Sequence, residues 1–175
     1  MAIYEFEGKR PSIGKDSFIH PEATLIGDVR IGAGCFVGAG ARLRGDWGTI
    51  TIGSYSNIQE NCVIHARPNM VAQLGTRNRI GHGAILHTPK LGDNVVVGIG
   101  AIILDNSDIG DGCCIGAAAL VTEKTIVPPK MLIVGVPAKI VKEISEEMRL
   151  RLEKGTNSYV ELPLRCQQGL KVCID

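Results

Sequence analysis

Aromatic side chains are nearly missing from this chain: Phe, Trp and Tyr together make up 4% of its 175 residues. A thick globular core draws on that bulk. Its scarcity points to a narrow interior filled by Ile, Val and Leu, with the 22 glycines at tight corners. Charge of one sign is also lacking. The net charge is +1 and no basic stretch is clustered, which excludes the electrostatic footprint of a nucleic-acid binder. No segment reaches the roughly 20 apolar residues of a bilayer span, and "MAIYEFEGKR" lacks the charged start and apolar run of a signal peptide. A cytoplasmic protein with neither membrane nor nucleic acid as partner is the expectation. The six cysteines, Cys35, Cys62, Cys113, Cys114, Cys166 and Cys173, show no CxxC and no framework spacing. Free buried thiols are expected, and the adjacent Cys113 and Cys114 would face opposite sides of a strand, which argues against a shared metal.

What is present in abundance is a period of six. Ile19, Leu25, Ile31, Val37 and Leu43 form one run, and Ile52, Ile58, Ile64 and Met70 a second. Ile80 and Leu86 form a third, and Leu91, Val97, Ile103, Ile109, Ile115 and Val121 continue it. Six matches neither an amphipathic helix nor a simple strand. It is the signature of an all-β solenoid, in which three hexapeptides make one triangular coil and the apolar residue of each points into the prism. The pattern resembles the left-handed parallel β-helix of the hexapeptide-repeat family; the handedness comes from that resemblance, since ordinary parallel crossovers are right-handed. The β-helix is expected over 11–127. Three residues are added between Leu43 and Ile52 and four between Met70 and Ile80, the second break reading as a loop projecting near 66–78, "ARPNMVAQLGTRN". "VPPKMLIVGVPAKIV" then ends the sheet, because its prolines remove ladder donors. In the remaining extension, 128–175, "SEEMRLRLEKG" has a Ser cap, acids in the first turn and a closing Gly, predicting a C-terminal α-helix over Ile144 to Lys154.

Histidine is rationed to four residues, yet three of them fall in "CVIH" and "IGHGAILH". His65 follows the inward Ile64 and His87 the inward Leu86, so both face outward. One coil of eighteen residues plus the four-residue insertion separates them, which places them on one face a coil apart. Parallel strands lie about 4.8 Å apart, close enough for two imidazoles to reach one metal. His82 belongs to the previous side of the triangle, with about 16 Å of extended chain before His87. A symmetric trimer would bring His82 of one subunit to His65 and His87 of the next. Three histidines leave the fourth tetrahedral position open, as catalytic zinc sites do. Without that assembly they are ordinary surface or core histidines, and spacing alone leaves both readings standing.

The string "LRGDWGTITIGSYSNIQENCVIH", followed by "IGHGAILH", resembles the γ-class carbonic anhydrase family, and within it the subgroup of carnitine-operon and phenylacetate-operon hexapeptide proteins. "GTNSYVELPLRC" is similar to the tail of that subgroup. The resemblance implies that His65, His82 and His87 are metal ligands, and that Arg44 and Asp46 form inter-subunit ion pairs ordering the site. It implies that Gln59 hydrogen-bonds the metal-bound water, with Glu60 where the family more often has Asp. Tyr159 aligns loosely with an active-site tyrosine; a packing role competes. One departure stands out: "ARPNMVAQLG" holds no acid and Trp47 follows the RGD, so the acidic proton shuttle of the founding type is missing.

The implied activity is metal-dependent, reversible hydration of CO2 to bicarbonate by a metal-bound hydroxide at a homotrimer interface. Zn2+ is the expected ion, with Fe2+ and Co2+ suited to the same nitrogen donors. An acyl-CoA thioesterase, or with less support an acyltransferase, is the second expectation; "GVPAKIV" resembles the coenzyme A-contacting turn of hexapeptide acyltransferases, a turn that also occurs widely in the fold in a structural role. A non-catalytic, metal-tied scaffold is the third.

Overall fold

Strands of only two or three residues are the working unit of this molecule, because a hexapeptide must both span one side of the prism and turn its corner. In the computed structural model, which describes residues 2–173, these units wind into a left-handed parallel β-helix of about 7 coils. The inward column is the predicted one. Leu25, Leu43, Ile58, Ile64, Ile80, Leu86, Ile103, Ile109 and Ile115 are sealed from solvent. Along one face the ladder runs Ile58–Ile80–Val97–Ile115–Ile133, each residue parallel to the next. Corners are turned by residues with positive φ, such as Asn94 and Asn106 at 56° and 58°, where Asn tolerates the left-handed region better than most side chains. Cys35, Cys62, Cys113 and Cys114 are buried, whereas Cys166 is half-buried and Cys173 exposed, so the expectation of buried thiols fails for the last two.

The solenoid extends beyond both expected ends. Ala2–Tyr4 pairs with the strand Thr24–Ile31, ahead of residue 11. At the other end Leu132 and Ile133 continue the ladder past residue 127. Pro128 and Pro129 do not end the sheet, because they occupy a corner where no ladder donor is needed. Closure comes from an antiparallel hairpin, Met131–Gly135 with Ala138–Glu143, whose turn is the "GVPA" stretch.

The two register breaks also differ in detail. The first is a bulge within the long strand Arg42–Ile52: pairing with Thr24–Ile31 jumps from Gly27–Gly45 to Val29–Ile50, so Asp46–Thr49 stand opposite the single residue Asp28. The second lies earlier than its apolar spacing suggests. Leu74, not Met70, is the inward residue, 2% exposed and paired with both Ile52 and Leu91. The projection is therefore confined to the turn around Arg67–Met70, closed by Met70 N–H donating to the Arg67 carbonyl at 3.1 Å. Residues 71–74 are a ladder strand.

Helix α1 spans Glu146–Val160, with Ser145 accepting from the Met148 N–H at its start, and a second helix, α2, spans Leu162–Gly169. The predicted stop at Gly155 fails for a steric reason. Its absent side chain makes room for the Arg79 guanidinium, which a Cβ there would strike. That glycine is a close approach rather than a cap. Among the described residues, no helix is long and apolar enough to cross a membrane.

Candidate metal centre and its two halves

His65 ends the strand Val63–His65 and His87 ends Ile85–His87, and the two strands are in register so that His65 pairs with His87. The imidazoles face one another, with Nδ1 of His65 3.0 Å from Nε2 of His87 and ring centroids 5.1 Å apart. Each ring is held from behind by a carboxylate. Nε2 of His65 donates to Oδ1 of Asp46 at 3.1 Å, and Nδ1 of His87 donates to Oδ1 of Asp105 at 2.6 Å. Each carboxylate is in turn met by a guanidinium, Arg44 on Asp46 at 2.6 Å and Arg67 on Asp105 at 3.3 Å. Burial alone would raise the Asp46 carboxyl, but hydrogen bonds from Arg44 and His65 carry it below its ordinary value. Burial pushes the His65 imidazole down, against the opposing pull of Asp46.

This donor set fits a divalent cation. With both rear N–H groups engaged by carboxylates, two neutral rings would aim two lone pairs at each other across 3.0 Å. That contact is repulsive unless a proton or a cation lies between them. Nitrogens sharing a tetrahedral zinc are about 3.3 Å apart, from Zn–N bonds of about 2.0–2.1 Å, so little movement is needed. Carboxylates behind ligand histidines are the usual outer support of such sites.

His82 stands in a second polar cluster on the same chain. Its Nδ1 bonds Oε2 of Glu60 at 2.5 Å, leaving the other ring nitrogen open, with His82 exposed and Glu60 half-buried. Its backbone N–H donates to Oε1 of Gln59 at 3.2 Å, and Nε2 of Gln59 donates to Oδ1 of the buried Asn57 at 3.0 Å. Tyr159, on α1, lies with its ring centroid 6.4 Å from that of Phe36. Burial raises its phenol and the charge of Glu60 adds to this. The structure thus gathers His65, His87, Arg44 and Asp46 in one place and His82, Glu60 and Gln59 in another, with Tyr159 near the second. Among the described residues of one chain, no three His, Cys, Asp or Glu side chains converge tightly enough to hold a metal.

Sequence reasoning missed Asp105, Arg67 and Asn57. Asp105 carried a faint signal: it stands eighteen residues beyond His87, the length of one regular coil. Trp47 proves to be a neighbour of the site, 59% exposed, with its ring centroid 6.0 Å from that of His65 and the Arg44 guanidinium 6.0 Å from its face. The bulge that carries Trp47 and the loop that carries Arg67 touch, Asn69 N–H donating to the Trp47 carbonyl at 3.3 Å. A separate cavity of about 370 Å³ lies between α1 and the corners at Arg77, Asp111 and Lys130, and none of the three histidines lines it.

Comparison with known proteins agrees with a hexapeptide solenoid. Residues 10–45 and 88–123 match the family described as Bacterial transferase hexapeptide (six repeats), the segment between them being the one that carries His65, His82 and His87. The carnitine operon protein CaiE of Proteus sp. (strain LE138) is 38% identical over 170 residues, covering 97% of this chain and 86% of that protein. The chain belongs to this hexapeptide-repeat family, in the carnitine-operon group. Among solved structures, a Bacillus cereus chain carrying an acetyltransferase name has a TM-score of 0.91 at 34% identity, over 93% of this chain and 94% of its own. A hexapeptide transferase family protein from Anaplasma phagocytophilum has a TM-score of 0.87 at 36% identity, over 93% and 96%. The first of these names speaks of acetyl transfer, the second only of a transferase family, and neither of hydration.

Proposed function

We propose that this protein is a metal-dependent enzyme that hydrates CO2 reversibly to bicarbonate, with its site assembled between the subunits of a homotrimer. The observation that carries the reading is that all three histidines of the "CVIH" and "IGHGAILH" segments have one ring nitrogen engaged by a carboxylate, while the second nitrogens of His65 and His87 face each other at 3.0 Å and that of His82 is left open. His65 and His87 supply two ligands from one subunit and His82 the third from its neighbour. Zinc is the proposed ion, with Fe(II) and Co(II) as alternatives of the same donor preference. Bound there, a divalent cation would supply the acidity that makes hydroxide available at neutral pH, lowering the pKa of water to about 7. The chain's own residues do the rest. Asp46, Asp105 and Glu60 hold the ring tautomers, the second amide N–H of Gln59 is available to orient the reacting oxygen, and the half-buried carboxylate of Glu60 can take up the released proton. Assembly is supported by the outward-facing apolar row of Val63, Ile85, Ile102 and Leu120, in register beside the His65–His87 pair.

A second reading, hydrolysis or transfer of an acyl group from a coenzyme A thioester, is favoured by the exposed indole of Trp47 beside His65, a surface for an apolar acyl chain, and by the acetyltransferase name of the Bacillus cereus relative. The test is metal content per chain and CO2 hydration for wild type and His82→Ala, with thiol release from a panel of acyl-CoAs. Metal near one per chain that is lost in the variant together with hydration is the expected result. Hydration that persists in metal-free protein sinks the first reading; thiol release without hydration selects the second.

A further inference from the structure

The two carboxylates behind His65 and His87 differ in setting. Asp46 belongs to the RGD stretch and stands on the bulge. Asp105 comes from a different coil, is 6% exposed, and is not part of any motif in the chain. Burying a carboxylate is costly unless its charge is matched and its oxygens are hydrogen-bonded, and here both oxygens are met. Oδ1 takes the His87 Nδ1–H at 2.6 Å, the short length of a charge-assisted bond, and Oδ2 lies 3.3 Å from the Arg67 guanidinium. Arg67 is itself tethered, its backbone N–H donating at 2.9 Å to the hydroxyl of Thr88, which is 3% exposed. Thr88 N–H in turn donates to the His65 carbonyl at 2.9 Å. The clamp therefore closes on both histidine strands.

We infer that Asp105, held by Arg67, is a positioning residue that fixes His87 with its proton on Nδ1 and its Nε2 lone pair directed at the metal position, and thereby sets the metal affinity of the half-site. The inference rests on the metal reading proposed above. A carboxylate behind a ligand imidazole raises the basicity of the ligand and locks its tautomer, and losing one typically weakens binding by about 10–100-fold. Arg67 acts one step further out, so its loss should cost less.

The experiment is zinc affinity of the full-length protein, by competition with a chromophoric chelator, and the visible spectrum of the cobalt-loaded form. Four chains are compared with wild type: Asp105→Asn, Arg67→Ala, Arg67→Lys and, as a control on an exposed ion pair of the same coil, Asp108→Asn. Asp105→Asn is expected to lose about 10–100-fold in affinity and to shift the cobalt bands. Arg67→Ala should lose less, Arg67→Lys should recover part of that loss, and Asp108→Asn should match wild type. If Asp105→Asn does not fold, the Arg67 pair decides the matter by the same two readouts. Wild-type affinity and spectrum in both Asp105→Asn and Arg67→Ala would overturn the inference while leaving the metal site standing. A wild type that binds no zinc would overturn both.

Discussion

From Leu91 to Val127 the coils are uninterrupted; between Leu43 and Leu91 they carry a bulge and a loop. Both regions have the same interior, since Ile64 and Ile80 are as sealed as Ile103 and Ile109. They differ outside. The regular stretch presents short strands and turns, with an exposed ion pair, Lys90–Asp108, at its border. The interrupted stretch presents all three candidate ligands, and its extra residues hold Asp46, Trp47 and Arg67. Inserted residues in a solenoid need not disturb the column within, because the ladder resumes wherever an apolar residue next reaches the axis. They are therefore a low-cost place to build chemistry, and the contact of the bulge with the loop shows two insertions from successive coils used as one wall.

Excising Arg67–Met70 would break the comparison most severely. The deletion restores the six-residue step from Ile64 to Leu74 and makes the coil resemble its regular neighbours. The β-helix should survive, by far-UV circular dichroism, since changes in surface loop length cost little. Zinc affinity should fall by about 100-fold, because Asp105 loses its guanidinium and Trp47 its tether. Unchanged affinity in the folded deletion protein would show that the loop is not part of the site.

The distinction also explains which features could be read from the chain. The column of apolar residues was legible because period six is a property of the interior. Met70 misled because it stands six residues beyond Ile64 by coincidence, while the residue that resumes the ladder, Leu74, stands ten beyond. The pairing of His65 with His87 survived this error, since it depends on the total length inserted and not on where the insertion lies. Asp105 was hidden for a related reason. The step from Leu86 to Leu91 is one residue short, so Ile103 pairs with Leu86 seventeen residues on, and Asp105, although eighteen beyond His87, lies one position past the residue that the ladder sets beside it. Gly155 was read as a helix stop because an interior glycine and a capping glycine look alike until the partner that fills its space, Arg79, is known.

A finer test acts where bulge and loop meet. A Cβ on Gly48 would overlap the carbonyl oxygens of Arg67 and Met70 and the methyl of Ala66. Backbone cannot yield as a flexible side chain does, so Gly48→Ala should cost about 1–3 kcal/mol in urea unfolding and weaken zinc binding along with it. Gly83→Ala offers a contrast: nothing lies within 4 Å of the added carbon, and only the positive φ of 68° opposes it. Equal stability of Gly48→Ala and wild type would mean that the two insertions move independently.

The smallest effect tests the claim that the interior does not register the interruption. Cys35 lies before the bulge and Cys62 between bulge and loop, both fully buried, with their thiols on the Gly53 and Gly81 carbonyls at 3.3 Å and 3.1 Å. Burial pushes both thiols up to about 11 from an ordinary value of 9.0. In the unfolded chain they ionise near the ordinary value, so above it the unfolded state sheds protons that the native state still holds. Their contribution to stability is whole below pH 9 and is lost as pH rises through 11, amounting to roughly 1 kcal/mol per thiol by pH 10. Urea unfolding at pH 8 and pH 10 should show this loss, and Cys35→Ala and Cys62→Ala should each remove a similar share. A clearly larger share for Cys62 would mean that the insertions reach the core after all, and that interior and exterior of the interrupted coils are coupled.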